Sequence, residues 1–201
     1  RAFQDNKFEM RYRVEVECRT ENPAVIRCEP TWHHPERGLV PVSNYKLLVE
    51  QAGMLDKFFD WALAEVCRQE ALWRDREWGH LPFELEIAAP QLFDSRLAPR
   101  IARALGKFEI EGRELELHFS KDMLLADTES LAPILLALKA HGLQLTVDGF
   151  PVGAQLLENW RGLPLDNLSL EGGILNSVPA NHADRLLLTA LTLPFSLLGM
   201  T

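Results

Sequence analysis

Four polar side chains stand near the ends of four strand-like runs: Glu86 in FELEIA, His118 in LELHFS, Asp148 in LQLTVDGF and Glu171 in NLSLEGG. Carboxylates and an imidazole converging from neighbouring strands are the donors that hold a divalent cation and lower the pKa of its bound water. Arg27, in VIRCEPTW, argues against such a cation, because a guanidinium is a permanent positive charge. The set is therefore open to two readings, a rebuilt metal site or a polar cluster neutralised by Arg27, and the second is preferred. His33 and His34 adjoin, so an extended chain points them to opposite faces and chelation is poor; they read as surface loop residues beside Pro35. Ser120 and Ser169 have no His–carboxylate arrangement beside them, which leaves nucleophilic catalysis without support. Trp61, Trp73 and Trp78 fall in an amphipathic stretch and read as core or rim rather than as an aromatic binding surface.

The elements that must position these groups follow from periodicity. Residues 8 to 18 alternate as a strand with one wet face, TENPAV supplies a turn, and residues 25 to 32 form its antiparallel partner. After the HHPERGLVP loop, Ser43 is placed to cap a helix whose Tyr45, Leu48, Ala52 and Leu55 share a face, with a break at Gly53. A second helix is predicted over residues 55 to 76. Strands over 83 to 88, 115 to 120, 143 to 150 and 167 to 173 then alternate with helical stretches, which argues for parallel β/α units in a barrel or a doubly wound sheet.

Composition sets the outer bounds. The 201 residues, 47% hydrophobic and 25% charged, suit one sizeable core, so the chain is read as a single domain over residues 1–201. A net charge of −8 gives no support to a nucleic-acid partner. Cys18, Cys28 and Cys67 are odd in number and widely spaced, which disfavours a disulfide framework or structural zinc and makes the cytoplasm the default compartment. No apolar run reaches the roughly 18 residues of a membrane span, so no membrane contact by this segment is expected. The chain opens on Arg1, and it is read as a segment of something longer.

The order of motifs resembles that of EAL domains, the bacterial phosphodiesterases that cleave cyclic di-GMP. FEMRYRV is similar to their opening strand, and TWHHPERGLVPVSNYKLLVEQAGMLDKFFDWALAEVCRQEALW to their Arg-Trp-x-His-Pro-Glu-x-Gly loop with its two following helices. LEIAAPQL is similar to the Val-Asn-Leu-Ser strand and LELHFSKDML to Leu-Glu-Ile-Thr-Glu. LTVDGFPVG resembles the Asp-Asp-Phe-Gly-x-Gly loop and LPLDNLSLEGGIL the Leu-Lys-Ile-Asp strand, so the resemblance covers nearly the whole chain. It implies an α/β, TIM-like (β/α) barrel with an antiparallel first strand. The chain stops at LLGMT, before the motifs of the family's seventh and eighth strands, so the last two strands are expected to be missing and the edges capped by ADRLLLTALTLPFSLLGMT or by association.

Residue by residue, the resemblance implies a degenerate site. Arg27 stands at the signature Glu, and the Glu-Ala-Leu triplet reads Arg27, Cys28, Glu29; Glu29 keeps the strand face but lies about 7 Å along. Glu86 replaces the metal-binding Asn, His118 the metal-binding Glu of the next strand, and Lys121 the Glu three residues on. Asp148 survives from the Asp-Asp pair with Gly149 as its neighbour, Ser169 replaces the catalytic Lys, and Glu171 follows. Arg13 takes the place of the ligand-touching Gln, with Val14 in place of Pro. The expectation is a catalytically inactive regulatory or protein-interaction module of a longer multidomain signalling protein, with no catalytic residue, no metal and no cofactor, and a protein partner or homodimer. The alternative is a non-hydrolysing cyclic di-GMP receptor using Arg13, Arg27 and Asp148, with weak affinity; an active phosphodiesterase ranks third. Arg27 is expected to sit where a cation would and to pair with Glu86 or Asp148.

Overall fold

The computed structural model describes residues 7–17, 20–74, 76, 80–126, 128–148 and 162–169. Two compact units divide the chain, Arg1–Glu116 and Leu117–Thr201.

The first unit opens with β1 (Phe8–Val16) and β2 (Pro23–His34), antiparallel as their alternation predicts. The stretch expected as a loop after Trp32 is instead a hairpin: β2 runs through His34, and β3 (Gly38–Pro41) returns along it. His34 Nδ1 accepts the backbone N–H groups of Glu36 and Arg37 at 3.1 and 3.2 Å, and Gly38 supplies a φ of 69°. A histidine acceptor thus organises the turn, a signal less visible than Asn-Gly. Consequently His33 and His34 are strand residues, not loop residues.

The helix expected from Ser43 is also different. Ser43 lies in a 3-10 turn, Val42–Asn44, and α1 (Lys46–Gln51) starts after Tyr45 with no side-chain cap. Tyr45 is buried, its hydroxyl donating to Pro30 O at 3.2 Å, whereas Leu48 is 58% exposed. The anchor therefore precedes the helix, and the shared face of Tyr45, Leu48, Ala52 and Leu55 does not form. Gly53 ends α1 as expected, at a φ of 64°.

The helix that follows, α2 (Leu55–Trp73), buries Phe59, Ala62, Leu63, Val66, Cys67 and Glu70 at spacings of three and four residues, a single helical face. Its aromatic rings meet β1: Trp61 and Phe58 lie 5.7 and 5.6 Å from Phe8, and Trp73 lies 5.1 Å from Tyr12. Trp61 and Trp73 are thus packing residues, as the amphipathic pattern predicts. The chain then enters β4 (Phe83–Glu86), parallel to β2 with Ile26 opposite Phe83 and Cys28 opposite Leu85. A short α3 (Ala89–Leu92) leads to α4 (Leu97–Phe108), which buries Leu97, Ala98, Ile101 and Leu105. Arg74, just past α2, donates to Glu70 at 3.1 Å and to the carbonyl of Phe108 at 3.2 Å, tying the two helix ends.

The strand β5 (Leu115–Ser120) carries the chain into the second unit. There α5 (Lys121–Ala126) and α6 (Thr128–Ala140) precede β6 (Gln144–Asp148), which pairs in parallel with β7 (Asn167–Ser169). Asp166 fastens this unit by accepting Lys139 Nζ and the N–H of Leu145, at 2.7 and 2.8 Å. The expected strand–helix alternation is therefore present, with β5 over the expected residues and β4 ending at Glu86, two residues early. Cys18, Trp78, Gly149, Glu171 and the expected terminal helix lie outside the described residues. Among the described residues no helix is long and apolar enough to cross a membrane.

Two glycines should respond in opposite directions. Gly53→Ala forces a Cβ into the left-handed region and should lower stability by about 1 kcal/mol. Gly106→Ala, inside α4 with open space around its Cα, should raise it by about 1 kcal/mol; paired thermal melts check both. Burial pushes the Glu70 carboxyl up from its ordinary 4.5, against the pull of Arg74. Folded Glu70 therefore holds its proton at pH values where the unfolded chain has lost it, so stability falls as pH rises from about 4.5 through the folded pKa. Denaturant titrations across that window should show a downward slope that Glu70→Gln reduces.

Candidate functional site

The antiparallel register of β1 and β2 gives one face of this sheet a ladder of charge. Arg11 lies opposite Glu29, Arg13 opposite Arg27 and Glu15 opposite Val25, while β4 brings Glu84 opposite Arg27. Two arginines directly opposite each other repel. Each is compensated diagonally: Arg13 Nη2 donates to Glu29 at 3.3 Å, and Arg27 Nε lies 2.8 Å from Glu15 Oε1.

Arg27 is the centre of this arrangement. Its Nε lies 2.9 Å from Glu84 Oε1, a charge contact rather than an aligned hydrogen bond, and its Nη2 donates to Glu84 Oε2 at 3.4 Å. The Glu84 side chain is 5% exposed and that of Arg27 31%, so the pair sits at the edge of the buried interior. A carboxylate that deep is tolerable when a cation is fixed beside it. This corrects the expected partner. Glu86, one pleat further along β4, is held by Lys46 Nζ from α1, and Arg27 turns instead to Glu84 and Glu15. The reason is register: Arg27 and Glu84 are cross-strand neighbours, whereas Glu86 lies two residues beyond.

Beneath the Lys46–Glu86 pair is an apolar cavity of about 40 Å³, lined in part by Phe58, Phe59 and Leu85. Its rim is fixed by Gln91, which accepts the N–H of Ala88 and donates to Leu55 O, both at 3.0 Å. At the far end of the ladder His33 Nε2 and Glu9 Oε2 approach to 2.6 Å, and the hydrogen bond to His33 holds the Glu9 carboxyl below its usual range. His33 is therefore a cross-strand partner of Glu9.

In the second unit, Asp148 ends β6 directly opposite Ser169 at the end of β7, so this pair is brought together. Both are half-buried, as is Lys121 at the start of α5, while His118 is buried in β5. Ser120 Oγ accepts the N–H of Asp122 at 3.3 Å, a helix-start contact. Gly149 and Glu171 lie outside the described residues. Among the described residues no three His, Cys, Asp or Glu side chains group closely enough to hold a metal ion.

Sequence reasoning missed Glu84, Glu15, Lys46 and Gln91. The alternation of FELE does put Glu84 and Glu86 on one face, but which of them meets Arg27 depends on strand register. Lys46 would have needed the true start of α1.

An antiparallel opening pair followed by parallel strands and connecting helices, with polar residues at strand ends, is the fold of EAL domains. The chain belongs to the EAL domain family, whose model matches residues 1–201. It is 26% identical over 183 residues to the cyclic di-GMP phosphodiesterase NbdA of Pseudomonas aeruginosa, covering 91% of this chain and 23% of that protein. It is 24% identical over 192 residues to the oxygen sensor protein DosP of Escherichia coli, covering 95% and 24%. The chain thus spans about a quarter of the length of these curated relatives. Its backbone matches the phosphodiesterase PaMucR in its c-di-GMP complex with a TM-score of 0.90 at 23% identity, covering 99% of this chain and 81% of that one. It matches the FimX EAL domain from Pseudomonas aeruginosa bound to c-di-GMP at 0.85 and 14% identity, covering 99% and 79%.

Arg27→Ala takes a fixed cation from beside the buried Glu84 carboxylate and should cost about 3 kcal/mol, as for breaking a buried pair. The double variant Arg27→Met with Glu84→Leu removes both charges and should recover most of that loss. Urea melts of the wild type, the single and the double variant read both effects.

Proposed function

We propose that this chain is a catalytically silent EAL module that works in cyclic di-GMP signalling by regulation or protein contact. One observation supports the reading: Arg27, which the order of motifs sets at the family's signature metal-binding Glu, has its guanidinium engaged by the buried Glu84. In the family, cations held by carboxylates supply the hydroxide that cleaves the phosphodiester. The residue at this position does not fit such a cation, because it brings a fixed positive charge of its own. Glu86, at the family's Asn, is held by Lys46, which adds a second cation to the same strand end. The reading takes residues 1–201 as one cytoplasmic domain of a longer signalling protein, with a protein partner or a second copy as its output. His118, Lys121, Asp148, Gly149, Ser169 and Glu171 then mark a former catalytic surface, with Asp148 kept beside Ser169 as a structural pair.

A second reading, a receptor that binds cyclic di-GMP without cleaving it, is favoured by Arg13. Its side chain is 66% exposed on the same face as Arg27 and contacts Glu29 at only one nitrogen, which leaves donors free for a phosphate. The PaMucR and FimX domains with the same fold were each solved with c-di-GMP.

Incubation with cyclic di-GMP and Mg²⁺ or Mn²⁺, followed by product separation, should give no linear dinucleotide above a no-protein control. Turnover above that control sinks the first reading. Calorimetric titration with the same ligand separates the two: no heat is expected from the silent module, and saturable heat without product selects the receptor.

A further inference from the structure

Away from the strand ends, α2 and α4 enclose a groove of about 560 Å³ whose chemistry the catalytic or receptor readings do not use. From Ser95 to Phe108 the sequence has no acidic residue and four cations, Arg96, Arg100, Arg103 and Lys107, in a chain whose net charge is −8. The apolar residues of α4 are buried, so the cations project on its other side and all four line the groove.

These cations are not equivalent. Arg100 donates to Asp56 Oδ1 at 2.9 Å and to Asp60 Oδ1 at 2.7 Å, and Arg96 donates to Asp94 Oδ2 at 2.8 Å. Half of the groove is thus internally neutralised, and Asp56 and Asp60 form its acidic wall on α2. Arg103 and Lys107 have no acidic partner among the described residues. They lie one helical turn apart, about 6 Å along the axis, and line the same trough without a carboxylate partner, Lys107 Nζ lying 5.1 Å over the Phe108 ring.

We propose that this groove is a docking site for an acidic polypeptide segment of a partner protein, which sets carboxylates against Arg103 and Lys107. The shape selects the occupant. An anionic membrane or a nucleic-acid duplex is too broad to follow the trough, whereas a narrow segment can lie along Arg103 and Lys107, with Asp56 and Asp60 already engaged by Arg100. A membrane-surface helix needs an apolar face to insert, and here Leu97, Ile101 and Leu105 are already buried in the protein. No aromatic ring is among the residues lining the groove, and the adjacent Phe108 ring is taken up by Lys107 Nζ at 5.1 Å, so the groove itself offers a nucleobase no stacking platform. Complementary charge on an otherwise acidic protein also speeds encounter with an acidic partner and fixes its register. The inference names a partner class for the interaction-module reading, but it concerns a different surface and stands even if hydrolysis is detected.

The probe is a fluorescent unstructured peptide of alternating Glu and Gly, read by anisotropy at low ionic strength. Saturable binding that weakens as salt rises is expected, with at least about a tenfold loss for R103E/K107E and a smaller loss for R103Q/K107Q. Arg37→Glu, an exposed charge reversal on the β2–β3 turn, should leave affinity unchanged. Circular dichroism melts confirm that each variant folds. The proposal is overturned if no peptide binds, if R103E/K107E binds as tightly as wild type, or if phosphatidylserine vesicles are captured through Arg103 and Lys107 as strongly as the peptide.

Discussion

A carboxylate on a sheet face that is nearly out of water must be neutralised, and the arrangement around Glu84 follows from that requirement. The parallel register of β2 and β4 delivers Arg27 to it, and the antiparallel register of β1 and β2 delivers Glu15 to the same guanidinium. One planar cation therefore bonds three strands by charge where their side chains alone would repel. Arg13, opposite Arg27, is drawn off by Glu29, which completes an alternation of sign across the face. A one-residue slip in either pairing would set Arg13, Arg27 or Glu84 on the aromatic side, so the ladder and the core specify one register together.

The opposite face of the same strands supplies the hydrophobic half of that specification. Phe8, Tyr12, Ile26, Cys28, Phe83 and Leu85 alternate with the charged residues and lie under α2, whose Phe58, Trp61 and Trp73 rings close over β1. Burial holds the thiols of Cys28 and Cys67 well above their ordinary range, so both behave as small apolar fillers. The α2 helix also carries Asp56 and Asp60 near its start out to Arg100 of α4, while the buried Glu70 near its end holds Arg74. Its two sides thus serve two surfaces, the strand ladder's support and the helical groove.

Periodicity was enough to read the strands, their sense and the α2 helix, because each rests on a repeating contrast of apolar and polar residues. It was not enough for β3 and α1, where single side chains decide: His34 accepts two backbone N–H groups to make the hairpin turn, and Tyr45 anchors the chain before the helix starts. At the site, the resemblance located Arg27 and Glu86 at informative positions but could not pair them. That pairing is a matter of which β2 residue faces which β4 residue, and the four-residue strand FELE offers two acids of the same parity. Lys46 was invisible for a related reason, since its reach to Glu86 depends on a helix that begins later than its apparent cap residue.

The Arg27–Glu84 pair also has a consequence for substitution. Placing an acid at position 27 without changing position 84 would set two carboxylates side by side, with Glu15 close at hand and the Arg27 guanidinium gone. Removing Glu84 first would leave Arg27 to Glu15 alone, directly opposite Arg13. Each single change passes through a less stable intermediate, so the two positions are coupled and a stable exchange changes both together.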